Sequence, residues 1–201
     1  MKVLEEVLKK GVAGLIPVYK DMTGNATELI TSTGENYIDE RKIKSIIRLF
    51  ARYYGVDLKS LRKNYGDVIG QKNSVPLPFT PDLILVPVKM RRPLTPYDGS
   101  SGFFTLNEFD KIIEDTVEGE RKVNILLKSG YKLPCLCSKS TVEKHIRNAK
   151  IVHQHYLKLN YRNQNQLLFF CDVFSDYKQP ATKGDIAILA KEILELKEKL
   201  L

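Results

Sequence analysis

Residues 41–63 concentrate the groups able to neutralise an anion. The stretch carries Arg41, Lys42, Lys44, Arg48, Arg52, Lys59, Arg62 and Lys63 against one acid, Asp57, a charge of +7 in a chain whose net charge is +8. On a helical wheel at about 100° per residue, Ile43, Ile46, Ile47, Phe50, Tyr53 and Tyr54 form one apolar stripe. Arg41, Lys44, Arg48 and Arg52 fall opposite it, within roughly an 80° arc. That face holds no acid, so no i,i+4 ion pair occupies the cations. A helix anchored on one side and cationic on the other suits a polyanion. Lys59, Arg62 and Lys63 extend the charge from a second short helix. The plainer alternative is a solvated charged face.

Other residues carry weaker signals. Arg91 and Arg92, with Lys89, sit in a loop able to reach phosphates or a groove. Lys144, Arg147, His155 and Lys158 share the outer side of a later helix. Tyr53 and Tyr54 have the chemistry to stack on unpaired bases, but their place on the apolar stripe favours an anchoring role. Cys135-x-Cys137 and His153-x-His155 hold zinc-binding atom types at a spacing unlike common structural sites. On a strand, both thiols would share one face as small core residues. His145 reads as a surface or hydrogen-bonded histidine rather than a ligand. Asp110, Glu114, Asp115, Glu118 and Glu120 straddle an expected turn without a partnered histidine. No P-loop, nucleophile elbow or dinucleotide fingerprint is present. The expectation is a protein that is not an enzyme, with no metal and no cofactor.

The elements that must position these residues follow from pattern and punctuation. The chain has 201 residues, 43% hydrophobic and 28% charged, enough for a sizeable core. A pI near 9.3 points to nucleic acid, with an anionic membrane surface as the competing partner. No apolar run reaches the roughly 20 residues of a spanning helix, and the first ten residues lack the continuous apolar segment of a signal peptide. Three cysteines do not make a disulfide framework. The expected setting is the reducing cytoplasm, at the nucleoid if the partner is DNA.

A short amphipathic helix is expected over 2–11 and a strand over 13–19, where Pro17 favours a sheet edge. Segments 27–32 and 36–39 flank a hairpin turn at Thr33-Gly34-Glu35. Asp39 or Glu40 leads into the basic helix, 41–54, which Gly55 ends. Asp57 caps a helix over 58–65, stopped by Gly66. A loop spans 70–82. Leu83–Val88 is a buried strand, Lys89–Gly102 a basic loop, and 103–115 one long strand. Hairpins are expected around Glu118-Gly119-Glu120 and Ser129-Gly130. Ser140-Thr141-Val142-Glu143 has capping-box spacing and opens a helix to about 158, with an inner stripe of Val142, Ile146, Ala149, His153 and Tyr156. Residues 166–174 suggest a strand and 183–200 a final helix.

This pattern argues an α+β fold, a mainly antiparallel β-sheet core with inserted basic helices and a C-terminal helix. The chain is expected to be one DNA-binding domain, 1–201, with a core of about 1–160 and a C-terminal strand and helix, about 161–201. Ile186, Leu189, Ile193, Leu196 and Leu200 recur at a/d spacing. They either pack on the domain or join two protomers.

Several segments together resemble the competence transcription factor (ComK) family of Gram-positive bacteria, over roughly residues 14–158. They are Arg52-Tyr53-Tyr54-Gly55 followed by Arg62-Lys63, then Pro76-Leu77-Pro78 and the strand from Leu83 to Pro87. Arg92-Pro93 comes next, then the hairpin Leu127-Lys128-Ser129-Gly130-Tyr131-Lys132-Leu133-Pro134. The family pattern has a tryptophan shortly after the Arg-Pro pair. This chain has none, Phe103-Phe104 occupy that region, and 163–180 matches poorly, as in a divergent member. The resemblance implies a DNA-binding transcriptional activator acting as a multimer on A/T-rich boxes of double-stranded DNA through the minor groove. Arg-rich contact there is physically sensible, because A-tracts narrow that groove and deepen its negative potential. From the residues alone the reading stops at a polyanion. A regulator meeting an acidic protein partner and an RNA-binding protein both remain open.

Overall fold

Two of the expected cationic helices fold against a six-stranded sheet, and the rest of the chain builds the frame that holds them. The computed structural model describes residues 2–20, 24–96, 98–117, 120–176 and 193, with backbone alone for 2–3, 116–117, 120–121 and 161–176. In chain order the elements are α1 Lys2–Lys10, β1 Val12–Lys20, β2 Gly24–Thr31, β3 Asn36–Asp39, α2 Ile43–Tyr53, α3 Leu58–Ile69, β4 Leu77–Pro78, β5 Ile84–Lys89 and β6 Ser101–Thr105. A 3-10 turn, Leu106–Glu108, then leads to β7 Phe109–Val117, β8 Glu120–Leu127, β9 Lys132–Cys135 and α4 Lys139–Asp176.

One sheet runs β3-β2-β1-β6-β5-β4 and a second runs β7-β8-β9. Every strand pair is antiparallel. The fold is therefore α+β on an antiparallel core. The chain divides into two units, Met1–Leu157 and Lys158–Leu201. Both sheets and the candidate site lie in the first.

Adjacent residues on one strand point to opposite faces, and here both faces are buried. Leu29, Leu85 and Phe103 join a core with Ile46, Phe50 and Leu61 of α2 and α3. Their neighbours Ile30, Val86 and Phe104 join a second core with Ile125, Leu127 and Leu133 of the smaller sheet and Val142, Ile146 and Ala149 of α4. Helices, large sheet and small sheet thus make three layers, and the central strands read as continuous apolar runs.

Several boundaries differ from expectation. Residues 103–115 are not one strand. The turn at Leu106–Glu108 breaks them, sending β6 to the large sheet and β7 to the small one. Pro17 does not mark a sheet edge, since β1 lies between β2 and β6. The β6 ladder touches β1 only at Gly14 and Leu15, so β1 is open on that flank at Pro17. Residues 166–174 continue α4 as helix. The cap of α4 comes earlier than the Ser140 box: Ser138 Oγ accepts from the Thr141 N–H at 3.3 Å. The hairpins at 27–39 and 120–135 form as expected.

Candidate nucleic-acid interface

The apolar stripe holds α2 in place. Ile43, Ile46, Ile47, Phe50 and Ala51 are buried, and each of the four larger side chains contributes about 2 kcal/mol of transfer free energy. Lys44, Arg48 and Arg52 emerge on the other side, exposed. Gly55 adopts a left-handed φ of 64° and turns the chain. Asp57 then caps α3, its carboxylate accepting from the Ser60 N–H at 2.6 Å, and Lys59, Arg62 and Lys63 are exposed on the first turns.

α3 runs past Gly66 to Ile69. Its end folds back on itself: Gln71 N–H donates to Gly66 O at 2.8 Å, and Gly70 takes a left-handed φ of 63°. A Cβ at position 66 would lie 2.6 Å from Gln71 O. Gly66 is therefore the residue that lets the chain reverse, not the one that stops the helix. The reversal delivers Lys72 and the 72–74 loop to the flank of α2.

Three hollows join these cations into one surface. The first, of about 540 Å³, is lined by Arg48, Arg52, Lys59 and Arg62, with Asp57. The second, of about 450 Å³, is lined by Lys44, Arg62 and Lys72, with Asp98. The third, of about 420 Å³, is lined by Lys72, Asn73, Ser74, Thr141, Lys144 and His145. Arg62 belongs to the first two and Lys72 to the last two, so each hollow adjoins the next across a shared cation. Both carboxylates along the way are committed elsewhere. Asp57 caps α3, and Asp98 accepts from Asn25 Nδ2 at 2.6 Å and Tyr19 Oη at 2.9 Å. Those bonds, Asn25 first, hold the Asp98 carboxyl down to about 2. Among the described residues, no salt bridge engages Lys44, Arg48, Arg52, Lys59, Arg62, Lys72 or Lys144.

Other expected site residues fall outside this surface. Arg41 precedes α2 rather than lying on its cationic face, and its guanidinium grips the buried carboxylate of Asp39 through two nitrogens. Arg91 is tied into the fold. It donates to Gly99 O and Val18 O at 2.8 Å and to Asn25 Oδ1, and lies over the Tyr19 ring. Arg92 and Lys63 are exposed but line none of the three hollows. Arg147 lines a separate hollow of mixed charge with Asp110, Lys111, Lys139 and Glu143.

The aromatic pair divides. Tyr54 packs its ring 5.7 Å from Phe79, whereas Tyr53 is 63% exposed and is not part of the anchor. His155 is half-buried against Tyr65, ring centroids 5.9 Å apart, rather than on the outer side of α4; Val152 takes a core position beside the expected stripe. Of the C-terminal a/d residues, Ile186, Leu189, Leu196 and Leu200 lie outside the described residues, and Ile193 is exposed.

Cys135 is buried and its thiol is pushed up to about 12, chiefly by burial. Cys137 N–H approaches its sulfur at 3.3 Å. Among the described residues, no group of three or more His, Cys, Asp or Glu is placed to hold a metal ion. Also among them, no helix is long and apolar enough to cross a membrane.

Two site residues were not anticipated. Lys72 sits in a segment whose composition signals only a loop, and its return to α2 depends on the Gly66–Gln71 reversal. His145 lines the third hollow rather than the open surface of α4: it is half-buried, and its Nδ1 has no hydrogen-bond partner. No family model, no curated protein and no solved structure matches the chain.

Proposed function

We propose that the protein binds double-stranded DNA as a transcriptional regulator, through phosphate contacts made by α2, α3 and the loop after α3. The observation that carries this is the run of adjoining cations from Arg48 and Arg52 through Arg62 to Lys44 and Lys72, none of them held in a salt bridge among the described residues. Unpaired cations held side by side repel; a row of phosphates relieves that repulsion by its opposite charge, and the cations in turn release the counterions condensed on the nucleic acid. The four residues between the helices include Gly55, a spacing that fits a helix-turn-helix. In that mode the first turns of α3, bearing Lys59, Arg62 and Lys63, would approach base edges. The A/T preference, activator role, multimer and nucleoid location come from the family resemblance and are proposed on that ground, as is minor-groove docking, which is the alternative to a helix-turn-helix seated in the major groove.

An anisotropy titration against A/T-rich and G/C-rich duplexes at two salt concentrations tests the reading. Tighter, steeply salt-dependent binding to A/T-rich duplex is expected. Equal affinity removes the sequence preference, and salt-independent binding removes the phosphate footprint. A second reading, single-stranded RNA, is favoured by Tyr53, which is exposed although its ring meets that of Tyr54 edge-on at 5.0 Å between centroids, and whose chemistry suits stacking on a base. Tighter binding to an unstructured RNA than to any duplex would select it.

A further inference from the structure

We propose that the hollow between the 72–74 loop and the first turns of α4 seats a phosphate group, and that His145 makes its occupancy depend on pH. This rests on the DNA-binding reading and extends the footprint from α3 to α4. Two elements far apart in sequence supply the seat. Lys72, Asn73 and Ser74 come from the loop, and Thr141, Lys144 and His145 from α4. Lys72 and Lys144 are the charged groups facing His145 from these two elements, and no acid is among the residues lining the hollow.

Ser74 has a φ of 53°, the one non-glycine left-handed backbone among the described residues. Such conformations persist where the surroundings hold them and concentrate at binding sites. His145 Nδ1 is buried with no hydrogen-bond partner, which is costly for a polar atom unless a ligand supplies one, and once protonated the nitrogen needs an acceptor such as a phosphate oxygen.

Burial first, and then Lys144, lower the affinity of His145 for a proton. A phosphate in the hollow supplies the missing negative charge and favours the imidazolium. Binding and protonation are then linked: occupancy raises the histidine's pKa, and affinity climbs as pH falls through it. The same chemistry fits a backbone phosphodiester or free inorganic phosphate.

The experiment follows the His145 ring proton by NMR in the full chain from about pH 5 to about pH 8, alone, with A/T-rich duplex, and with inorganic phosphate at matched ionic strength. Duplex is expected to raise the His145 midpoint. It is also expected to bind more tightly at the acid end, and His145→Gln to flatten that dependence. Lys144→Ala is expected to reduce the salt slope of binding by about one. A rise with inorganic phosphate but no duplex binding keeps the seat and overturns the DNA reading. An unmoved midpoint with both, while Arg62→Ala weakens duplex binding, overturns the seat and leaves the DNA reading intact.

Discussion

The guanidinium of Arg91 lies 4.0 Å from the centre of the Tyr19 ring, and the two residues staple the 91–99 loop to β1. Tyr19 Oη accepts from the Leu94 N–H and donates to Asp98, while Arg91 reaches Val18 O and Gly99 O. Arg91→Ala removes its side-chain hydrogen bonds and the ring contact. It should cost roughly 2–3 kcal/mol of stability. Arg92→Ala, one residue away and solvated, should stay within about 0.5 kcal/mol. Urea unfolding of both variants checks the contrast, and equal losses would mean the loop is not stapled.

Arg48 and Arg41 should separate in the opposite sense. Replacing Arg48 and Arg52 by Ala is expected to leave the melting temperature nearly unchanged and to reduce the salt slope of DNA binding by about two. Arg41→Ala is expected to cost about 1–3 kcal/mol, because it strips a buried carboxylate of its partner, with little effect on affinity. Thermal melts beside anisotropy titrations distinguish the two classes. A large fall in melting temperature for the Arg48/Arg52 variant would make those side chains structural.

Acid should unfold the protein through two aspartates. The Arg41 side chain, by hydrogen bonding, holds the Asp39 carboxyl below its ordinary value, and Asp98 is held down to about 2. Folding favours the ionised form of each. Their stabilisation is therefore complete above the ordinary carboxylate value of about 3.9 and is lost as pH falls through the lowered values. Melting temperature should decline most steeply between about pH 4 and about pH 2. Asp39→Asn should melt lower near neutrality and show a shallower decline. An unchanged slope would show that Asp39 is not among the titrating groups.

Gly66→Ala tests the reversal at the end of α3. Helix propensity alone forecasts a gain of about 1 kcal/mol. The new Cβ would instead meet Gln71 O at 2.6 Å, so a net loss of roughly 1–3 kcal/mol is expected. DNA affinity should fall as well, because the same strain displaces Lys72. A stabilised variant with unaltered binding would refute this account.

What could be read from the chain was whatever depends on neighbours in sequence. The Ile43–Phe50 stripe, the left-handed turns at Gly55 and Gly130, and the Asp57 cap are local periodicity and local sterics. The hidden parts depend on partners far away. Arg91 has the same composition signature as Arg48, and only Val18, Tyr19 and Asn25, brought up by the sheet, make its guanidinium structural; for Arg41 the partner Asp39 is only two residues away, and what the pattern hides is that this carboxylate is buried. The break at Leu106–Glu108 was invisible because apolar residues continue on both sides of it. Lys72 entered the site through a chain reversal that composition records only as a loop. Tyr53 and Tyr54 are adjacent in sequence, and Phe79 lies beside just one of them, Tyr54, which is half-buried while Tyr53 is exposed.

Buried Ile46, Ile47 and Phe50 clamp α2 from beneath, so the backbone positions from which its cations project are fixed whether or not anything is bound, while the exposed side chains keep their rotamer freedom. The mutual repulsion of those cations is borne by hydrophobic adhesion on the far side of one helix. Such a molecule is more stable in moderate salt than in dilute buffer. If the partner is the DNA proposed above, binding would release repulsion already present in the free molecule rather than first creating order.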